Sequence, residues 1–255
     1  MFSKIRIKRG IVTAGFAIVL FSLISFVENK HANKAFENII VEIDDEKQYN
    51  YFIDRNEVIS LMTFNNTDPI IHKKYKDIDL KTLELRIKSH KFVENAQVYK
   101  DLKGNLMVEV QQCRPLGRIV QNNGPHAYIG SNGNTLPTSE KFTARVVLID
   151  GDKAPMLMRQ GYLHSEEGKG YVDLLKTIDQ DKFWKSQIVQ ISVNKLGEVK
   201  LYPQIGQEVF DLGKPEELPD KFRKMKIYYK TILPLKGFNR YKTVNLKYKD
   251  QIICE

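Results

Sequence analysis

A chain of 255 residues is long enough for one large domain or two small ones, and 42% hydrophobic residues with no low-complexity tract or solenoid-period repeat exclude a disordered or fibrous class. The net charge of +9 does not mark a nucleic-acid binder: Lys4, Arg6, Lys8 and Arg9 carry four of those charges, and setting them aside leaves 36 basic against 31 acidic residues with no basic helix interleaved with aromatics. Cys113 and Cys254 are the only cysteines, lack CxxC spacing and read as two unpaired structural thiols.

In chain order, the first element is the uncharged run from Ile11 to Val27. As a helix it reaches about 26 Å, just enough for a membrane span. The basic flank before it keeps residues 1–10 in the cytoplasm by the positive-inside rule and sends the rest outside. A cleaved signal peptide shares the basic start. This run, however, exceeds the usual ~7–15 apolar residues, and Glu28 to Ala35 contains no small-x-small cleavage site, so 11–27 reads as an uncleaved membrane anchor.

Residues 28–38 read as a polar linker. Ile39 to Ile43 is β-rich, and Asp54 with Glu57 is an N-cap signature for a helix whose apolar face holds Val58, Leu61 and Met62. A second helix begins near Asp79, with Leu80, Leu83 and Ile87 as its stripe. Phe92 to Lys100 and Asn105 to Gln112 alternate as paired strands around a turn at Lys103-Gly104. The order is β-α-α-β-β, closed at Arg114-Pro115, because proline cannot donate to a ladder.

From Tyr128 onward strands and turns dominate. Asn132-Gly133 and Asn194 to Gly197 are turn signals, the second joining Ile188–Val193 to Glu198–Tyr202 as a hairpin. A helix is expected near Tyr171 to Asp179. A longer amphipathic one is expected between Asp220 and Leu233, with Phe222, Met225, Tyr229 and Ile232 inward and Lys221, Lys224 and Lys230 between them. The chain closes on a strand in which Val244, Leu246 and Tyr248 alternate with Asn245 and Lys247.

Chemistry-bearing motifs are absent from the sequence. His31, His72, His90, His126 and His164 stand singly, with no HExxH and no metal-ligand spacing; there is no GxSxG, phosphate loop or SxxK. The groupings Asp44-Asp45-Glu46 and Glu166-Glu167 read as solvated loops. No enzyme, cofactor or metal is expected.

Three stretches carry a resemblance: Phe52 to Val58, Leu83 to Val98 with its "H-x-F-V-x-x-A-x-V" phrase, and Leu106 to Pro115. They resemble the POTRA domain of the FtsQ/DivIB cell-division proteins, in which Phe92 and Val93 would plug the sheet beneath the helices. Tyr128-Ile129, Gly133 to Pro137, Arg145 to Gly151 and the closing Tyr241 to Cys254 are similar to the β domain of the same family. The chain departs from the family pattern at Gly117, Gly130, Asn245 and Lys247.

The resemblance implies an α+β architecture: one transmembrane helix, a POTRA domain over 39–115, and a mostly antiparallel C-terminal β domain with flanking helices over 116–255. It implies a bitopic septal scaffold that holds an FtsB-like and FtsL-like pair, with other division proteins as further partners. A POTRA-bearing envelope transport or outer-membrane assembly factor is the rival reading. Against it stand a single POTRA unit and no series of ~10-residue lipid-facing strands. Partner contact is expected on the open edge of a final strand formed by Thr243, Val244, Asn245, Leu246, Lys247, Tyr248, Lys249, Asp250, Gln251 and Ile252, because unpaired N–H and C=O groups there can accept a further strand.

Overall fold

The computed structural model describes residues 3–32, 34–44, 52–65 and 67–255. The first helix, α1 (Ser3–Ala32), runs through the expected anchor and through the first residues of the expected linker. Its side chains are described over 12–26. Among the described residues no helix is long and apolar enough to cross a membrane, that stretch being shorter than the ~20 residues a span needs. Within it Val12, Phe16, Val19, Phe21, Ile24 and Phe26 are all exposed.

The chain forms two compact units, the first ending at Gln112 and the second made of Cys113–Glu255 together with Phe52. The first has β1 (Ile39–Asp44), α2 (Arg55–Met62), α3 (Leu80–Lys88), β2 (Val93–Lys100) and β3 (Leu106–Gln112). β3 lies central, parallel to β1 and antiparallel to β2. Both caps form: Asp54 Oδ1 accepts from the Glu57 amide at 2.9 Å, and Asp79 Oδ1 from the Lys81 amide at 3.1 Å. At the hairpin tip Gly104 takes φ +98°, which only glycine adopts without strain. Val58, Met62, Leu83 and Ile87 pack on Val98, Leu106, Val108 and Val110, and Phe92 and Val93 are both buried.

Two details differ from expectation. Phe36, read as linker, is 1% exposed in this core with its ring 4.5 Å from that of Tyr75; one aromatic in a polar stretch is too short a signal for periodicity to register. Phe52, read with the POTRA motif, belongs instead to the second unit, where it packs edge-on against Tyr128 and Phe142 at 5.9 and 5.1 Å.

The second unit contains β4 (Pro115–Ile119), β5 (Ala127–Gly130), β6 (Thr135–Pro137), β7 (Val147–Asp150), α4 (Ala154–Leu157), α5 (Lys169–Gln180) and α6 (Lys182–Gln187). It continues with β8 (Ile188–Val193), β9 (Val199–Pro203), β10 (Val209–Gly213), α7 (Leu218–Ile227), a π turn at Tyr228–Ile232, α8 (Leu233–Lys236), β11 (Thr243–Asn245) and β12 (Ile253–Cys254). Among the described residues its strands form one sheet in the order β12-β11-β10-β9-β8-β7-β4-β5-β6. The sheet is mostly antiparallel, as expected, with three parallel pairs, β4/β7, β7/β8 and β10/β11. Parallel neighbours need long crossovers, and α4–α6 and α7–α8 supply those of the last two pairs. The β8–β9 hairpin turns as expected, with Asn194 Oδ1 accepting from the Leu196 and Glu198 amides, both at 2.9 Å, and Gly197 at φ +81°. Leu174, Leu175 and Ile178 of α5, Trp184 of α6 and Phe222 and Met225 of α7 pack with Ile149, Ile191, Leu201, Phe210 and Val244 of the sheet.

Candidate partner-binding strand

The closing segment is not the ten-residue strand expected from its alternation. β11 stops at Asn245, residues 246–252 form a loop, and the chain returns as β12, antiparallel to β11 with Val244 opposite Cys254 and Asn245 opposite Ile253. On its other side β11 is paired in parallel with β10. Both edges of the expected strand are therefore taken, and among the described residues the edge left open at this end of the sheet is that of β12.

Side-chain chemistry explains where the strand stops. Asn245 Oδ1 accepts from the Lys247 amide at 3.0 Å, an Asx turn that competes with the ladder. Lys224 of α7 donates from Nζ to the carbonyls of Leu246 and Tyr248 at 2.8 and 2.7 Å, drawing both toward the helix. Lys247 Nζ reaches Asp211 Oδ2 of β10 at 3.0 Å, and that carboxylate raises the lysine pKa. Asp250 takes φ +55°, which turns the chain back toward β12.

The expected contact residues separate into three groups. Val244 and Leu246 are wholly buried core. Thr243, Asn245 and Ile252 are half-buried. Lys247, Tyr248, Lys249, Asp250 and Gln251 face solvent, with Tyr248 53% exposed although its place in the alternation points it inward. The alternation fails beyond Leu246 because period-2 orientation holds only while the backbone stays extended.

Backbone pairing fixes which groups of β12 are open. Thr243 and Glu255 exchange both amide bonds, at 3.0 and 2.9 Å, so by alternation the N–H of Cys254 points away from β11. Cys254 itself is half-buried, and burial pushes its thiol pKa up. Cys113 is buried.

Lys224 is the residue that sequence reasoning missed. Placed among the residues between the apolar positions, it is 3% exposed in the structure. Its carboxylate partner Asp220, four positions earlier with Nζ 3.2 Å from Oδ2, was the available signal. Lys221 is also buried and donates to the Lys214 carbonyl at 2.7 Å; desolvation lowers its pKa.

No metal-competent group of three His, Cys, Asp or Glu side chains occurs among the described residues. His90 Nε2 lies 3.5 Å from Glu57 Oε1, His126 Nδ1 accepts from the Gln121 amide at 3.3 Å, and His164 Nε2 bonds Asn134 Oδ1 at 3.0 Å. These are separate local contacts.

Comparison with known proteins agrees with this architecture. Residues 36–111 match the POTRA-like domain, and residues 114–255, more than half of the chain, match the family described as FtsQ/DivIB, C-terminal related. No curated protein matches the chain significantly. Domains of these two kinds are non-catalytic scaffolds, and the FtsQ/DivIB type serves cell division. A POTRA-like unit followed by a helix-backed β domain of this type places the chain in the FtsQ/DivIB family.

Proposed function

We propose that the protein is a bitopic scaffold of the division septum. Ile11–Val27 anchors it in the inner membrane, and both folded units lie outside the cytoplasm. The C-terminal unit holds an FtsB–FtsL-like pair by strand addition to β12, linking early to late division proteins. The observation that carries the partner reading is the open edge of β12 beside the solvent-facing segment Lys247–Gln251. An exposed edge supplies main-chain bonds for affinity, and Tyr248 offers an aromatic anchor for selectivity. Support for the anchor comes from the uncharged run and from the exposed apolar side chains over residues 12–26 of α1, which lipid covers and water does not.

The experiment places a photo-crosslinking amino acid at Lys249 in the full chain, in cells, and identifies the adduct by mass spectrometry. A bitopic coiled-coil protein is the expected partner. Cys254→Pro removes the outward N–H together with the half-buried thiol, so Cys254→Ala, which keeps the N–H, is its control. The proline variant should abolish the adduct with the melting temperature kept, edge strands tolerating an outward proline, and the alanine variant should keep the adduct. An adduct that survives Cys254→Pro in a folded chain refutes strand addition at β12.

A further inference from the structure

The segment leaving α1 is strapped into the POTRA-like unit by its backbone. Tyr75 N–H donates to the Lys34 carbonyl at 2.9 Å, His72 N–H to the Phe36 carbonyl at 3.1 Å, and Glu37 N–H to the Gly104 carbonyl at 3.4 Å. These bonds bring the tip of the β2–β3 hairpin and the loop before Tyr75 to the place where the chain emerges from the helix. A concavity of about 320 Å³ lies there, lined among others by Lys34, His72, Leu102 and Lys103.

Its surroundings combine exposed apolar tips with lysines. Leu102 is fully exposed and Ile71 is 43% exposed. Lys34, Lys74, Lys76 and Lys103 are exposed and have no ion pair among the described residues. Nearby, Lys73 pairs with Asp68, and Lys100 lies over the Tyr75 ring at 4.2 Å. The acidic groups are Glu37 and Asp77, both exposed, and Asp101, which is engaged by the amide and side chain of Asn105 at 2.7 Å each. The balance is basic.

Position in the chain selects the occupant. α1 continues to Ala32, so its end stands about 8 Å beyond Val27, and Lys34 follows two residues later. A headgroup layer is ~5–8 Å thick on each side of the hydrocarbon. An apolar tip beside Lys34 and Lys103 close to the end of the anchor matches a lipid interface, with leucine below the headgroups and ammonium groups on the phosphates.

We propose that this patch, centred on Lys34, Leu102 and Lys103, docks on the anionic phospholipid surface beside the anchor and fixes how the POTRA-like unit stands on the membrane. The proposal rests on reading Ile11–Val27 as a membrane anchor.

The test uses the full chain in vesicles of phosphatidylcholine, alone or mixed with phosphatidylglycerol. A nitroxide is placed on Leu102→Cys in one sample and on Phe21→Cys in another, both in a Cys254→Ser background. Accessibility to a water-soluble nickel chelate and to oxygen is then read. At position 102 nickel accessibility should fall roughly three-fold on adding anionic lipid. It should recover in high salt, or with Lys34→Glu and Lys103→Glu together. Position 21 should be oxygen-accessible in both lipids. Equal nickel accessibility at 102 in the two lipids, with position 21 in lipid, overturns the docking proposal alone. A water-exposed position 21 overturns the anchor reading and the docking proposal with it.

Discussion

Lys224 Nζ lies 2.7 Å from the carbonyl oxygen of Tyr248, 24 positions further along the chain. With its second bond to the Leu246 carbonyl, it makes a buried ammonium group of α7 the fastening of the loop between β11 and β12. In Lys224→Met the aliphatic bulk is kept and both carbonyls lose their donor. We expect a loss of about 2–4 kcal/mol, because a buried acceptor left unsatisfied costs ~1–3 kcal/mol. Denaturant unfolding reads the loss, and amide exchange at 247–250 should accelerate more than exchange in β8. Unchanged exchange there would show that the loop is held by other contacts.

Asp220 ties the same fastening to pH. Its pKa is lowered first by the hydrogen bond from Arg223 and next by that from Lys224. A carboxylate with a depressed folded-state pKa contributes stability that is fully present above the unfolded value near 3.8 and is lost as pH falls through the folded value. Asp220→Asn should therefore lower the melting temperature at neutral pH and flatten the acid limb of the stability curve below about pH 4. Parallel acid limbs in the two proteins would show that the pair contributes nothing.

Tyr248 and Val244 separate binding from folding. Tyr248 is 53% exposed and Val244 wholly buried. Tyr248→Ala should leave the melting temperature within about a degree and, on the proposed function, weaken capture of the proposed coiled-coil partner by ~2 kcal/mol, about thirty-fold, as loss of an interfacial aromatic anchor does. Val244→Ala should instead destabilise the unit by about 1–3 kcal/mol. Titration with parallel thermal melts reads both. Full affinity in a folded Tyr248→Ala protein would exclude the tyrosine from the interface.

Phe36 brings the expected linker into the core of the first unit. A fragment of residues 34–112 retains its ring in the core against Tyr75, whereas one of residues 38–112 loses it. The longer fragment should melt cooperatively by circular dichroism. The shorter should be less stable by about 3–5 kcal/mol, the range for deleting a buried phenylalanine. Equal melting of the two would mean that Phe36 does not support this core.

Local chemistry made much of the fold legible before any tertiary contact was known. Asp54 and Asp79 announce their helices because a short carboxylate at the residue before the helix satisfies first-turn amides two or three positions on. Asn194 and Gly197 announce their hairpin because the asparagine bonds its own turn and the glycine supplies the positive φ. The uncharged run at Ile11–Val27 and the β-α-α-β-β order are of the same kind, each decided by neighbours in sequence.

The end of the last strand belongs to tertiary structure. Alternation from Val244 to Tyr248 forecast a continuous strand, and nothing within that segment states that Lys224 will claim two of its carbonyls or that the chain will return as β12. Burial of Lys224 and the placing of Phe52 against Tyr128 are likewise contacts between residues far apart in sequence. Periodicity reports which face of an element is apolar. Which edge of the sheet stays open depends on which strands meet when the chain closes on itself, and that is settled by contacts no sequence window contains.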